Sequence, residues 1–237
     1  FIIFTVERRP KEKTKNISMP KLKPEVLSDM KIITVSREFS SGGRELGKRL
    51  ADCLGFDYYD KEIIASVAAS AGIDENYAER MLEEGMVKRV PLSFRCSVSG
   101  PAAVSAVSAD LLIKQRRVIE AIGKAGRDCV IIGRNADCIL REYSPFNIFV
   151  CADADTKLAR FHAAEKGKDA MSDRAIIKNM REIDKSRAKT RELITDCRWG
   201  ERTAYHLTVN TSGWSNIKEI VPAVADFATR WFERKNI

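Results

Sequence analysis

The sequence predicts an α/β fold in which a parallel sheet of five strands is covered by helices on both faces. Two observations predict it. Five short runs of apolar, largely β-branched residues alternate along the chain with segments of helical spacing. The first run, residues 32–35, has no solvent-facing alternation, which suits a strand buried on both faces. Ligands of such sheets bind beyond the carboxyl ends of the strands, so we expect the functional site there.

The composition is that of a soluble globular protein and disfavours several classes of function. The 237 residues suffice for one domain, or for one domain with an inserted lid. The net charge of +8 suits a small polyanion such as a nucleotide. No segment combines clustered arginines with aromatic residues, so we expect no nucleic-acid partner. Neither a transmembrane run nor a signal peptide is visible, so we expect no membrane partner.

Cysteine and histidine usage argues against a disulfide framework and against a histidine-based metal site. The six cysteines form no C-x-x-C pair, and the chain has two histidines, His162 and His206. Cys129 and Cys151 lie in apolar runs, where a thiol behaves as a small buried hydrophobe. We therefore expect a reducing compartment, the cytoplasm.

The first 29 residues lack a core-forming pattern. They are interrupted by Pro10, Pro20 and Pro24, and we interpret residues 1–29 as a flexible N-terminal extension. Met30 directly precedes the first strand, so the compact domain is predicted to span residues 30–237. A role for the extension against a dimer partner stays open, and so does the oligomeric state, a homodimer included.

The segment that organises the domain is a strand, a glycine turn and a helix within residues 31–55. The helix is predicted to begin near Arg44 and to stop at Gly55. Such a unit directs backbone N–H groups and the positive end of a helix at a phosphate. It is a modified version of the P-loop pattern G-x-x-x-x-G-K-[ST], in which the first glycine, the lysine and the hydroxyl residue are replaced by Glu38, Arg44 and Glu45.

The remaining elements follow from apolar spacing and from Gly, Pro and Ser punctuation. Extended runs are predicted over 56–60, 129–133, 147–151 and 205–209. Helices are predicted over 61–71, 75–84, 109–124, 135–142, 155–166, 173–191 and 216–234. Residues 87–108 are rich in Ser, Pro and Gly, and we interpret them as an irregular surface segment whose role stays open.

Four polar residues follow the first three predicted strands, and each has two interpretations. Arg44 either binds nucleotide phosphates through the paired N–H donors of its guanidinium or pairs with Glu38 or Glu45 on a solvated turn. Glu45 either holds a magnesium-bound water or merely favours the helix N-terminus. Arg134 either clamps an acceptor phosphate or caps a turn. Asp60 either orients an acceptor or is a helix N-cap.

The charged helix over 173–191 has a similar pair of interpretations. Arg187 and Arg191 are four residues apart on one face, and Asp184 lies beside both. Such helices are usually solvated faces laced with ion pairs. Placed between the fourth and fifth strands, this helix instead suits a lid that brings cations to a transferring phosphoryl group.

At this point the chain resembles the cytidylate kinase-like proteins among the P-loop nucleoside monophosphate kinases. The resemblance covers nearly everything after Met30 and is carried by the stretches ITVSREFSSGGRELGKRLADCLG, FDYYDKEII, VIIGRNADCIL, FNIFVCADADTKLARF, MREIDKSRAKTRE and LTVNTS. It implies a three-layer P-loop NTPase-like fold with a five-stranded parallel sheet, an acceptor-binding insertion and a helical lid over about 168–202. It also implies ATP and Mg²⁺ as cofactors and transfer of the γ-phosphoryl group to CMP or dCMP.

The resemblance assigns roles by position. Donor phosphates and the nucleotide fall to Ser40, Ser41, Gly42, Gly43, Arg44 and Glu45, with Glu45 as the one candidate for contact with Mg²⁺. The acceptor falls to Asp60, Arg134 and Asp184. The catalytic cations are Arg44, Arg187 and Arg191.

The chain also departs from the true cytidylate kinases. It lacks the glycine-lysine loop, and Asn135 stands where they have an aspartate after the glycine-arginine pair. Two alternatives to a CMP kinase therefore stay open. One is a nucleotide-binding sensor with weak or no catalysis, and the other is a kinase for a different small acceptor.

Overall fold

One sheet of five parallel strands, in the order β2-β3-β1-β4-β5, forms the centre of the molecule. The computed structural model describes residues 30–76, 78–79, 100–164 and 171–234. The strands are β1 (Ile32–Arg37), β2 (Asp57–Tyr59), β3 (Cys129–Ile132), β4 (Phe146–Cys151) and β5 (Leu207–Asn210). All four neighbouring pairs are parallel, which confirms the predicted parallel α/β fold.

Helices connect the strands. They are α1 (Gly43–Leu54), α2 (Lys61–Ala71), α3 (Gly100–Lys124), α4 (Ala136–Ile139), α5 (Ala154–Ala164), α6 (Asp173–Glu192) and α7 (Val221–Glu233). Single 3₁₀ turns lie at Arg141–Tyr143, Arg202–Ala204 and Ile217–Glu219. The described elements thus alternate as the apolar spacing predicts.

The core lies on both faces of the sheet, because successive residues of β1 point in opposite directions. Ile33 and Val35 pack into one cluster with α1 and α7. Ile32 packs into the other, with side chains of α2 and α3. All three side chains are fully buried. Burying one aliphatic side chain of this size stabilises a fold by about 1.5–3 kcal/mol, so β1 fixes the sheet between its two helical layers.

One sequence prediction is wrong. Helix α3 begins at Gly100, not near residue 109, so the end of the segment predicted as irregular is helical. Pro101 is tolerated in a first helical turn, and residues 102–108 contain only Ala, Val and Ser, so no breaker delays the helix.

Other predictions fall partly outside the described residues. These are the extension over residues 1–29, the segment 87–99, most of the predicted helix over 75–84 and the last two residues of the predicted helix over 155–166. The charged helix is confirmed as α6. In the described part of the chain, no helix has both the length and the hydropathy needed to cross a bilayer.

The parallel arrangement brings the carboxyl ends of all strands to one edge of the sheet. Arg37 ends β1, Asp60 directly follows β2, Gly133 follows β3 and Thr211 follows β5. Asp60 and Arg134, which the sequence singles out, therefore share this edge with Arg37 and Thr211, and ligands of such sheets bind there.

Candidate functional site

The turn between β1 and α1 is held in a conformation that needs small residues. Ser40 has a φ of 58° and Gly42 a φ of 80°, both in the left-handed region. The φ of Gly42 favours glycine, and a Cβ there would also lie 2.6 Å from Cδ1 of Ile217, which would have to move. Helix α1 then begins at Gly43, and the N–H groups of its first turn are available to a ligand at the sheet edge.

Two neighbouring elements hold the turn in place. The carbonyl of Ser41, which is fully buried, accepts hydrogen bonds from Nη1 of Arg160 (3.0 Å) and Oγ1 of Thr211 (2.7 Å). The hydroxyl of Ser40 donates to the carbonyl of Lys157 at 2.9 Å. The turn is thereby tied to α5 and to the end of β5, so its shape is set before any ligand binds.

Glu38, which replaces the first glycine of the P-loop pattern, turns toward α5. Its carboxylate accepts from Nζ of Lys157 at 3.0 Å and from the backbone N–H of Ala152 at 3.3 Å. Lys157 therefore compensates the charge of the Glu38 carboxylate, so this charge is not left for Arg44 to compensate.

The charged helix α6 contacts the same turn. Oδ1 of Asp184 accepts the backbone N–H of Phe39 at 2.7 Å and Nη1 of Arg187 at 3.1 Å. Arg187 also donates to the carbonyl of Arg37 at 3.1 Å. Burial raises the pKa of Asp184, and the nearby guanidinium of Arg187 and the Phe39 N–H offset only part of that shift. Helix α6 is thus docked on the turn through Asp184 and Arg187.

Arg44 and Asp60 meet each other. Nε of Arg44 lies 2.6 Å from Oδ2 of Asp60, and the side chains are 47% and 4% exposed. Asp60 occupies the N-cap position of α2, but its carboxylate makes no capping bond and is directed to Arg44. Glu45 pairs instead with Arg49, one turn further along α1, at 2.7 Å. The structure thus shows Arg44 paired with Asp60 and Glu45 paired with Arg49.

A cleft opens beside the turn, between the ends of β1 and β3. Arg134 follows β3, has a φ of 59° and is 9% exposed. Its carbonyl accepts from Nε2 of Gln115, a buried residue of α3. Arg187 reaches the cleft from α6, and the ring of Trp199 forms part of its wall. Three left-handed residues in succession, Gly133, Arg134 and Asn135, shape this corner.

Arg191 lies away from this cleft, in a buried ion pair. Its Nη1 is 2.7 Å from Oδ2 of Asp137 in α4, and the side chains are 2% and 3% exposed. Its Nε donates to the carbonyl of Cys197, and its guanidinium lies over the ring of Tyr205. Burial lowers the pKa of Arg191, but the Asp137 carboxylate more than offsets this and raises it. The pair joins the end of α6 to the core.

The structure therefore groups the sequence candidates in three places. Arg134 and Arg187 share the cleft, Arg44 and Asp60 form a pair at its rim, and Asp184 fixes the turn. The catalytic role that the family resemblance implies for Arg191 stays a prediction, and its burial favours a positioning role.

Sequence reasoning missed several residues of this edge. Arg160 and Lys157 hold the turn from α5, and Arg37 lines the cleft. A signal for Arg37 exists, since it stands at the carboxyl end of one buried strand, much as Arg134 stands just beyond the end of another. No sequence signal distinguishes Arg160 and Lys157 from other cations of an amphipathic helix.

Magnesium would have few protein ligands at this site. In the described residues, no three His, Cys, Asp or Glu side chains lie close enough together to hold a metal ion. Glu45, the one candidate from the sequence, is engaged by Arg49. The site therefore fits Mg²⁺ that arrives bound to nucleotide phosphates, and it does not fit a metal held by a protein cage.

Comparison with known proteins identifies what this chain is similar to. A model of the cytidylate kinase-like family matches residues 32–213, which include the turn, the cleft and α6. Among curated proteins, no match is found.

Solved structures share the fold. One is an uncharacterized protein from Eubacterium ventriosum, with 20% identity, 84% of this chain and 99% of that chain covered, and a TM-score of 0.61. Another is a shikimate kinase from Bacteroides thetaiotaomicron, with 14% identity, 84% and 98% coverage, and a TM-score of 0.52. At these identities the likeness establishes the shared α/β fold, a parallel sheet covered by helices, and leaves the activity and the substrate undetermined.

Proposed function

We propose that this chain, which belongs to the cytidylate kinase-like family, is a phosphotransferase that moves the γ-phosphoryl group of ATP to CMP or dCMP. A kinase-like fold goes with nucleotide binding, and the family suggests phosphoryl transfer. The observation that carries the proposal is the cleft at the carboxyl ends of β1 and β3, where Arg134 and Arg187 lie together beside the glycine turn.

The chain's contribution to such a reaction is positioning and charge neutralisation, without a covalent intermediate. The N–H groups at the start of α1, around Gly42 and Gly43, would bind donor phosphates, with Ser40, Ser41 and Arg44 beside them. The anchors from Arg160 and Thr211 keep these donors in place without reorganisation during transfer. Mg²⁺ bound with ATP supplies further neutralisation of phosphate charge.

The acceptor would lie on the other side of the turn. Asp60 follows β2 and Arg134 follows β3, so an acceptor there faces the donor site across the end of β1. Arg187, docked by Asp184, would close over the transferring group. The equatorial oxygens of that group carry negative charge, which a cation stabilises. Arg191, in its buried pair with Asp137, would hold α6 at the distance this requires.

A coupled ADP-release assay tests the proposal. The protein is mixed with ATP and Mg²⁺ and a panel of acceptors: the nucleoside monophosphates, the deoxy forms, and small non-nucleotides that include shikimate, because one solved structure with this fold is a shikimate kinase. We expect turnover with CMP or dCMP. Turnover only with a non-nucleotide would show that the acceptor is that compound and not CMP or dCMP. Absence of turnover with every acceptor would refute the proposed activity.

A second candidate, a nucleotide sensor without catalysis, is favoured by one specific observation. Two carboxylates already bind groups that a phosphate would otherwise bind. Asp184 accepts a hydrogen bond from the Phe39 N–H, and Asp60 forms an ion pair with Arg44. If both contacts persist with nucleotide present, binding occurs without transfer. ATP would then raise the melting temperature of the protein while the ADP-release assay stays at background.

We propose the cytoplasm as the compartment and nucleotides as the partners. The cysteines of the described part, Cys53, Cys129, Cys138, Cys151 and Cys197, are all free thiols, which suits a reducing environment. Burial raises the pKa of the Cys129 thiol to about 12, so this residue acts as a core hydrophobe.

A further inference from the structure

We infer that Arg37, and not Arg44 alone, supplies the fixed cation of the site, and that with Arg134 and Arg187 it binds a tetrahedral phosphoryl group. This inference rests on the proposed phosphotransferase function and names a residue of it that the P-loop pattern does not contain. The chemistry is that of a phosphate dianion, contributed either by the acceptor or by the terminal group of the donor.

The first step is the position of Arg37 in the sheet. It is the last residue of β1, and that strand lies in the middle of the sheet between β3 and β4. Arg37 is paired in register with Val150, and its carbonyl accepts from Arg187. Only 8% of the residue is exposed. The backbone that carries the guanidinium is therefore among the best-fixed parts of the molecule.

The second step is the path of the side chain. A Cβ on Gly43 would lie 2.5 Å from Cβ and 3.1 Å from Cγ of Arg37. A Cβ on Gly133 would overlap Nη1 of Arg37. The arginine therefore runs from one glycine of the turn to the glycine that follows β3, and its guanidinium rests on the backbone of Gly133. A side chain with this path has few other places to go, so its charge is held at the cleft without further ordering.

The third step is the character of the cleft. Three of its nine lining residues are arginines, Arg37, Arg134 and Arg187, and none is an Asp or Glu. Their side chains come from three separate elements, β1, the turn after β3 and α6. Planar guanidinium groups bind oxyanions through paired N–H donors, and three of them from different directions match the oxygens of a phosphoryl group.

The fourth step is the contrast with Arg44. Its side chain is 47% exposed and is held by Asp60 at the rim, so it must leave a partner before it can reach a phosphate. Arg37 is held at the cleft by the main chain and by packing against two glycines. A chain that lacks the P-loop lysine can therefore obtain a fixed cation from Arg37, the last residue of β1, which directly precedes the turn.

The test measures phosphate binding directly and does not depend on turnover. ³¹P NMR titrations with inorganic phosphate are run on the full chain, on Arg37→Ala and on Arg116→Ala, a control that removes the same charge from an exposed residue paired with Glu120. We expect Arg37→Ala to weaken phosphate binding at least tenfold and Arg116→Ala to leave it within twofold. Phosphate affinity in Arg37→Ala within twofold of the parent, or no binding to the parent, would overturn the inference.

Two further arms complete the design. Displacement of phosphate by CMP, but not by cytidine, assigns the site to the acceptor. Displacement by a non-hydrolysable ATP analogue assigns it to the donor, and displacement by neither contradicts the inference.

Should Arg37→Ala not fold, the variant Arg37→Lys decides, because lysine keeps the charge but lacks the paired N–H donors of a guanidinium. Unchanged phosphate affinity in Arg37→Lys contradicts guanidinium recognition. Loss of phosphate binding in the Arg37 variant, together with no turnover on any acceptor, would retain this inference and refute the proposed activity.

Discussion

Two arginine–aspartate pairs of this molecule have almost the same length and opposite surroundings. Arg191 and Asp137 are 2.7 Å apart with side chains 2% and 3% exposed, whereas Arg44 and Asp60 are 2.6 Å apart with side chains 47% and 4% exposed. The first pair joins α6 to α4, and the second bridges the start of α1 and the start of α2 at the rim of the cleft.

The difference teaches that distance alone does not say what an ion pair does. In a dry interior the attraction between charges is strong, but so is the cost of removing them from water, and neither partner can lose the other without leaving a buried charge. At the rim pair, water can take the place of Asp60 beside Arg44 at little cost, but Asp60 is only 4% exposed and would be left as a poorly solvated carboxylate without Arg44. The buried pair is suited to hold α6 in place, and the rim pair leaves the half-exposed Arg44 able to change partner.

The largest expected effect comes from breaking the buried pair. Asp137→Ala leaves the guanidinium of Arg191 buried and uncompensated, and we expect a loss of about 3–5 kcal/mol in the free energy of unfolding. Urea denaturation followed by circular dichroism measures it. The double variant Asp137→Leu with Arg191→Met removes both charges and should recover most of the loss. A cost below about 1 kcal/mol for Asp137→Ala would place this pair in the same class as an exposed pair.

The rim pair should respond in both stability and binding. Because Arg44→Ala leaves the buried carboxylate of Asp60 without its partner, we expect a loss of about 1–3 kcal/mol in the free energy of unfolding, less than for the fully buried pair. Loss of a charge-assisted bond to phosphate is worth about 1.5–3 kcal/mol, so affinity for an ATP analogue should fall roughly 10- to 150-fold. Arg49→Ala, one turn along the same helix, is the matched control for calorimetric titration. Unchanged affinity in Arg44→Ala would remove this residue from the donor site.

A third measurement places Asp184 between these extremes. Burial raises the pKa of Asp184, so the folded state holds this proton more tightly than the unfolded state. The stability contributed by the protonated form is present at low pH and is lost as the pH rises from the ordinary carboxyl value through the raised one. Relative to Asp184→Asn, the parent should therefore lose stability across that range. Parallel unfolding curves at all pH values would contradict this.

The smallest effect is expected at a fully solvated pair. Arg116 and Glu120 are 2.8 Å apart on α3, with side chains 61% and 35% exposed. Arg116→Ala should change the free energy of unfolding by no more than about 0.5 kcal/mol, since exposed pairs one helical turn apart are screened by water and salt. Thermal melts at low and high NaCl concentration test this. A larger, salt-independent change would mean that exposure is a poor guide to the strength of ion pairs in this chain.

Much of the fold could be predicted from the sequence because it depends on local pattern. The run Ile32–Val35 is apolar enough to be recognised as a doubly buried strand, and the charged periodicity of α6 is visible in its spacing. The start of α3 could not be predicted from composition. Residues 102–108 contain only Ala, Val and Ser, and this small-residue content suggests a loop but is equally compatible with a helix.

The candidate site was harder to predict, because its contacts join residues far apart in the chain. Helical spacing shows that Arg187 and Arg191 share a face, but not that Asp137, 54 residues earlier, lies opposite Arg191. The spacing of Arg44 from Glu38 and Glu45 suggests local partners, and the partner it finds is Asp60, 16 residues later. Arg37 has no motif of its own, and its importance depends on two glycines that only the folded chain brings near.

The contact of Arg37 with Gly43 and Gly133 has a consequence for the evolution of this fold. Glycine is required at position 43 whichever non-glycine residue stands at 37, because a Cβ there would lie 2.5 Å from the Cβ of Arg37, an atom that all such residues carry. At position 133 a Cβ would meet the guanidinium, and the φ of 65° favours glycine in addition. Among homologues we therefore expect glycine at 43 whatever residue ends the strand, and a weaker requirement for glycine at 133 where that residue is not arginine.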